Sequence, residues 1–167
     1  MTDYEIADHI AVEAARIYSR ESKENYFVSV GNHCGYDLVS QSGKTRIEVK
    51  TDVLAAHTQN ACIEFWDVLR DRPSGLLATT ANFWVHFIPS DEERVLVGYE
   101  FAVSSLRKLC FESGKVRKGV GGTVLLKLIP LREFRLASRR SFRMATEFFD
   151  EVMTKTGSVP EAPFGAE

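Results

Sequence analysis

A short polar turn, Gln41-Ser42-Gly43-Lys44, separates two runs in which apolar and polar residues alternate, Tyr36 to Ser40 and Thr45 to Lys50. This feature constrains the chain most, because a period of two on both sides of a glycine-containing turn marks a β-hairpin. A turn centred between Ser42 and Gly43 sets Leu38 opposite Ile47, Tyr36 opposite Val49 and Asp37 opposite Glu48. Side chains alternate between faces along a strand. Tyr36, Leu38, Ile47 and Val49 therefore make a core face, and Asp37, Val39, Arg46, Glu48 and Lys50 gather on the other. Two carboxylates then stand opposite each other, about 5 Å apart at Cβ.

Directly opposed like charges destabilise a sheet, so something must offset them. Lys50 offsets part of the repulsion. A shared divalent cation does so better, since Mg²⁺ prefers oxygen ligands and keeps positions open for water and phosphate. Asp37 and Glu48 would hold that ion, and the Lys50 ammonium would orient a water or stabilise developing charge. From spacing alone two readings stay open: a metal-dependent phosphoester site, and an exposed strand face with an incidental Asp-Glu-Lys cluster.

Around the hairpin the chain reads as a helix followed by several strands. Asp3 to Arg20 has apolar residues at helical spacing, with Thr2 and Glu5 placed as a capping box, and Glu13 sits on or beside its apolar stripe. Tyr26 to Val30, Ala61 to Val68, Asn82 to Ile88, Arg94 to Tyr99 and Thr123 to Leu128 read as strands, and Ala102 to Glu112 as a helix. Gly114 to Gly122 reads as a basic glycine loop, and Ser138 to Lys155 as a C-terminal helix with Phe142, Ala145, Phe149 and Val152 on one face. The expected fold is α/β (α+β), a mixed β-sheet flanked by helices, with the N-terminal helix preceding the hairpin. Residues 1–156 are expected to form one domain and 157–167, small and proline-rich, a flexible tail.

Composition narrows the function classes. At 167 residues, 44% hydrophobic and 26% charged, the chain is not disordered, collagenous or coiled-coil. Leu76 to Pro89 is too short and polar to cross a bilayer, and the N-terminus lacks the pattern of a signal peptide. Three widely spaced cysteines, Cys34, Cys62 and Cys110, argue for a reducing cytoplasm. His33, Cys34, His57 and Cys62 fit no compact zinc spacing. The net charge of −2 hides an asymmetry: Phe101 to Arg143 holds eleven Lys/Arg against two acids. That excess suggests a polyanionic partner, against the plainer reading of a solvated basic face.

Gly35-Tyr36-Asp37 followed by Ile47-Glu48-Val49-Lys50 resembles the Asp … Glu-x-Lys core of the PD-(D/E)XK nuclease superfamily, which includes Holliday junction resolvases and restriction and phage-type endonucleases. The family's proline before the aspartate is replaced by Tyr36. The resemblance covers about residues 3 to 88. It implies a restriction-endonuclease-like core, Mg²⁺ (Mn²⁺ substituting) held by Asp37 and Glu48, Lys50 as a catalytic cation, and Glu13 as a helix-borne acid facing the metals. It also implies metal-dependent hydrolysis of DNA phosphodiesters, on junction, branched or nicked DNA, and leaves open whether the protein is a homodimer. Gln59 and Glu64 stay undecided, and Thr79, Thr80 and Asn82 read as turn or cap residues or as phosphate contacts. The basic third would then supply DNA backbone contacts through Lys115, Arg117, Lys118, Arg139, Arg140 and Arg143. The alternative is a non-catalytic nucleic-acid-binding module of the same fold.

Overall fold

The computed structural model describes residues 2–29 and 35–154. Helix α1 (Asp3–Glu21) opens with the expected capping box, the Thr2 hydroxyl accepting from the Glu5 amide and the Glu5 carboxylate from the Thr2 amide. A mixed six-stranded sheet follows, in the order β1 (Tyr26–Val28), β2 (Leu38–Ser40), β3 (Arg46–Thr51), β6 (Phe83–Ser90), β7 (Val95–Ala102), β10 (Arg140–Met144). Among the described residues only β3 and β6 pair in parallel. A parallel pair needs a crossover, and residues between these strands supply it: α2 (Ala55–Thr58), β4 (Asn60–Asp67), β5 (Arg72–Pro73) and α3 (Gly75–Ala78).

The crossover also begins a second sheet, absent from the sequence-based expectation. Strands β4 and β5 join β8 (Lys115–Lys118) and β9 (Val124–Pro130) in an antiparallel sheet ordered β5-β4-β9-β8. Helices α4 (Val103–Glu112) and α5 (Leu131–Ala137) flank it in sequence, and α6 (Phe149–Thr154) closes the described chain. Two cores lie on opposite faces of the first sheet. Ile10, Ala14, Ile17 and Tyr18 of α1 pack with Leu38, Ile47, Val49, Val85 and Phe87 on one side. On the other, Trp84, Ile88 and Phe101 meet Ile63, Leu76, Leu106, Ile129 and Phe134.

The hairpin pairs Leu38 with Ile47 and Val39 with Arg46, the register its turn predicts. Tyr36 departs from the expected core face. It packs against the second core, with the Arg46 guanidinium 5.3 Å from its ring centre. The strand begins only at Leu38, and Gly35 just before it has φ +67, so strict alternation does not extend back to residue 36.

Two other expectations change. The basic glycine stretch contains strand β8, followed by a 3-10 turn at Val120–Gly122. The expected C-terminal helix is two elements, strand β10 and the short α6. Arg140, Phe142 and Met144 alternate with the exposed Ser141 and Arg143, which is strand periodicity, and β10 pairs along β7. The apparent helical spacing of Phe142 and Ala145 is coincidental, since Ala145 is exposed. The tail 157–167 lies outside the described residues, as do His33 and Cys34. Among the described residues no helix is long and apolar enough to cross a membrane.

Candidate functional site

Glu48 and Lys50 are alternate residues of β3, so they share a face, opposite that of Ile47 and Val49. The parallel register places Trp84 beside Glu48 and His86 beside Lys50. These four side chains look away from α1 and toward the second sheet. Between the sheets lies a cleft of about 530 Å³, walled by Glu48, Lys50, Asp52, Glu64, Thr79 and His86 among others.

Asp37 enters the site from the lip of β2. Its amide donates to the Ile47 carbonyl at 2.9 Å, and its Oδ2 accepts from the Val49 amide at 2.7 Å. Lys50 joins the two acids: its Nζ lies 2.5 Å from Glu48 Oε1 and 3.9 Å from Asp37 Oδ2. The same ammonium stands 5.9 Å from the Trp84 ring centre, close enough for a cation–π contribution.

Glu48 is only 8% exposed. Its Oε2 accepts from the Thr79 hydroxyl at 3.1 Å, and that hydroxyl also lies 2.8 Å from the Gly35 carbonyl. Gly35 is confined to glycine on two counts. Its φ is +67, and a Cβ there would come within 2.9 Å of the Thr80 hydroxyl. The close approach binds the segment leading into Asp37 to the Thr79-Thr80 connector that steadies Glu48.

The charges behave differently across the site. Burial raises the Asp37 carboxyl above its ordinary range, and the Glu48 charge adds to the rise against the opposing pull of Lys50. For Lys50, burial alone would lower the ammonium, but Glu48, Asp37 and Glu64 outweigh it and hold the group above the ordinary lysine value. The charged form of Lys50 is therefore the favoured one in the fold.

Behind the site runs a buried hydrogen-bonded chain. The Trp84 indole donates to His86 Nδ1 at 3.3 Å, and His86 Nε2 lies 3.4 Å from Asp52 Oδ2. Indole is a donor only and ionised carboxylate an acceptor only, which assigns the proton of His86 to Nε2. Asp52 also accepts from the Ala55 and Cys62 amides, at 3.0 and 2.7 Å. Burial would raise its carboxyl, yet the His86 and amide bonds win and hold it below the usual range. Asp52 thus ties the end of β3 to the second sheet. The Cys62 thiol beside it is pushed up to about 12, chiefly by burial, so it stays protonated and is no nucleophile.

Asp37 and Glu48 offer carboxylate oxygens, the chemistry of a hard divalent cation that takes one or two carboxylates and leaves positions for water and phosphate. Asp37 Oδ1 has no hydrogen-bond partner among the described residues. The donor chemistry fits such an ion. Among the described residues no group of three or more His, Cys, Asp or Glu could hold a metal ion.

The remaining sequence candidates fall elsewhere. Glu13 lies on α1, across the sheet from Glu48, and its carboxylate pairs with Arg16. Gln59 ends α2 with its side-chain amide on the Ala56 carbonyl. Glu64 is on the cleft wall, close enough for its charge to act on Lys50. Arg139 and Arg140 both engage the buried Glu100, and Arg140 also pairs with Glu21. Arg143 pairs with Glu93. Lys115, Arg117 and Lys118 are exposed on β8 and make no ion pair among the described residues. The sequence leaves Thr79 between a turn or cap residue and a phosphate contact, and it does not bring Trp84 or His86 to the site. Their one local signal is that β6 lacks a clean period of two, carrying Trp84 and His86 among apolar neighbours.

No family model matches the chain, and no curated protein matches it. Among solved structures, a bacterial homing endonuclease, I-Ssp6803I, aligns over 62% of this chain and 71% of its own, at 20% identity and a TM-score of 0.42.

Proposed function

We propose that this chain is a metal-dependent DNA endonuclease of the PD-(D/E)XK type, with Asp37, Glu48 and Lys50 as its catalytic core. The observation that carries the reading is the convergence of both carboxylates on the Lys50 ammonium at one end of an open cleft. Two partly buried acids held against each other by a single cation are a costly arrangement for a sheet. They suit a site whose working form binds a second cation and a phosphate.

Asp37 and Glu48 would hold Mg²⁺, with Mn²⁺ as substitute. When bound, such an ion supplies Lewis acidity toward a phosphoryl oxygen. The chain's own groups do the rest. The Val49 amide fixes Asp37 Oδ2, and the Thr79 hydroxyl fixes Glu48 Oε2, so both acids are oriented before substrate arrives. Lys50 stays charged and lies where it can neutralise the negative charge that builds on the phosphate during cleavage. The Trp84 ring lies beneath the Lys50 ammonium.

The test is incubation of the purified chain with linear duplex, single-stranded, nicked and four-way-junction DNA, in Mg²⁺, Mn²⁺ or EDTA. The proposal predicts cleavage of at least one of these DNAs that EDTA abolishes. DNA binding without cleavage in either metal would favour a non-catalytic binding module instead.

A further inference from the structure

Cys62, Glu64 and Leu126 of the middle strands of the second sheet line the cleft. The cross-strand register of the second sheet continues both rows outward to β8. Cys62 pairs with Leu128 and Leu128 with Lys115, while Glu64 pairs with Leu126 and Leu126 with Arg117. Directly paired residues present their side chains on the same face of a sheet. Lys115 and Arg117 therefore rise from the face whose Cys62, Glu64 and Leu126 line the cleft.

On the opposite edge, Val124 pairs with Asp67 and Asp67 with Arg72. The register shift between Glu64 and Trp66 keeps Asp67 on the same face as Glu64, so Arg72 joins that face too. Asp67 itself is occupied by Arg70. Lys115, Arg117 and Arg72 are exposed and make no ion pair among the described residues. Between the two edges the face carries Val124, Leu126 and Leu128, all half-buried. Most other arginines of the basic third are committed elsewhere: Arg139 and Arg140 to Glu100, Arg143 to Glu93, and Arg107 to the Leu76 and Thr79 carbonyls.

We infer that DNA lies across this open face of the second sheet, its phosphates held by Lys115 and Arg117 on one edge and Arg72 on the other. This inference rests on the nuclease proposal for the choice of DNA as the occupant. Charge complementarity and continuity with the acidic cleft supply the case. Lys115 and Arg117 are two residues apart on a strand, about 7 Å by strand rise, which suits contact with neighbouring phosphates of one DNA strand. The three cations stand on the two edge strands of this face, so a backbone crossing it passes over Glu64 toward Lys50. Lys118 and Lys127 belong to the opposite face of the same sheet, where Val116 also lies.

The experiment is a binding titration of labelled duplex and junction DNA at several salt concentrations, with Ca²⁺ replacing Mg²⁺. It compares the parent with Lys115→Ala/Arg117→Ala, Arg72→Ala and Lys118→Ala/Lys127→Ala. Each lost phosphate contact lowers the salt slope by about 0.9. The β8 double variant should lose about 1.8 from that slope and weaken binding roughly tenfold or more, and Arg72→Ala should lose about half as much slope. The opposite-face pair should leave the slope where it was. Loss of slope in the opposite-face pair, with the β8 pair and Arg72 unaffected, overturns the inference. A parent that binds no DNA overturns it together with the nuclease proposal. A parent that binds but never cuts, with the slope lost at Lys115 and Arg117, leaves the surface standing and removes only the nuclease.

Discussion

Two aspartates near the cleft are shifted in opposite directions, and the difference bears on which of them holds the fold together. Asp52 is held below its ordinary value despite burial, because His86 and two backbone amides bond its charged form. A depressed carboxylate stabilises the fold above its unfolded value and loses that contribution as pH falls through the folded one. Asp37 is raised by burial and by Glu48. Its protonated form is favoured in the folded protein, so its contribution is complete below the unfolded value and declines as pH rises through the folded one. In EDTA at pH 7, Asp52→Asn should therefore lower the thermal midpoint, at a cost of about 1–3 kcal/mol, with the deficit shrinking as pH approaches 3. Asp37→Asn should hold the midpoint or raise it by roughly 2 °C, with the difference vanishing in acid. Thermal melts across pH 3 to 8 check both. Equal destabilisation by the two variants would place Asp37 among the structural acids.

The elements show what a local pattern reveals and what it hides. The hairpin was legible because its alternation and its glycine turn are properties of fifteen or so contiguous residues, and Asp37, Glu48 and Lys50 came with it. Thr79, Trp84 and His86 were not legible. They reach the site through the parallel β3–β6 pairing, set by a crossover of some thirty residues that no local period encodes. Strand β10 was hidden for another reason. Its apolar residues and those of α6 happen to fall at helical intervals, whereas the true constraint is distant: β10 pairs along β7 and brings Arg140 to Glu100. Glu100 is 2% exposed and bonded by Arg140, Arg139 and the Tyr18 hydroxyl. Arg139→Ala/Arg140→Ala would leave that carboxylate with Tyr18 alone, and should cost about 2–3 kcal/mol, since both guanidiniums are partly exposed. Denaturant titration measures this. The same variant should keep the parent's salt dependence of DNA binding, because its guanidiniums already serve an internal acid. A flatter salt slope with unchanged stability would return both arginines to the DNA interface.

Across the whole molecule, the charge asymmetry in the sequence divides into two uses. Arginines of the basic third bind acids from elsewhere in the chain: Glu100 and Glu93 on or near the β6–β7 hairpin, and Glu21 on α1. That part of the excess holds the fold together. Strand β8, at the edge of the second sheet, has cations that make no ion pair among the described residues. On the nuclease proposal, catalysis and binding fall on different strands of different sheets, and they should separate by mutation. Lys50→Ala removes the one ammonium joining Asp37 and Glu48 while leaving β8 intact. The decisive measurement is single-turnover cleavage of the best DNA substrate in Mg²⁺, beside DNA affinity in Ca²⁺, for Lys50→Ala and the parent. The account predicts cleavage slower by about a hundredfold or more, the loss typical of removing one donor to developing charge, with affinity changed by no more than about threefold. A Lys50→Ala protein that cuts at the parent's rate, or a parent that cuts no DNA in Mg²⁺ or Mn²⁺, would contradict it.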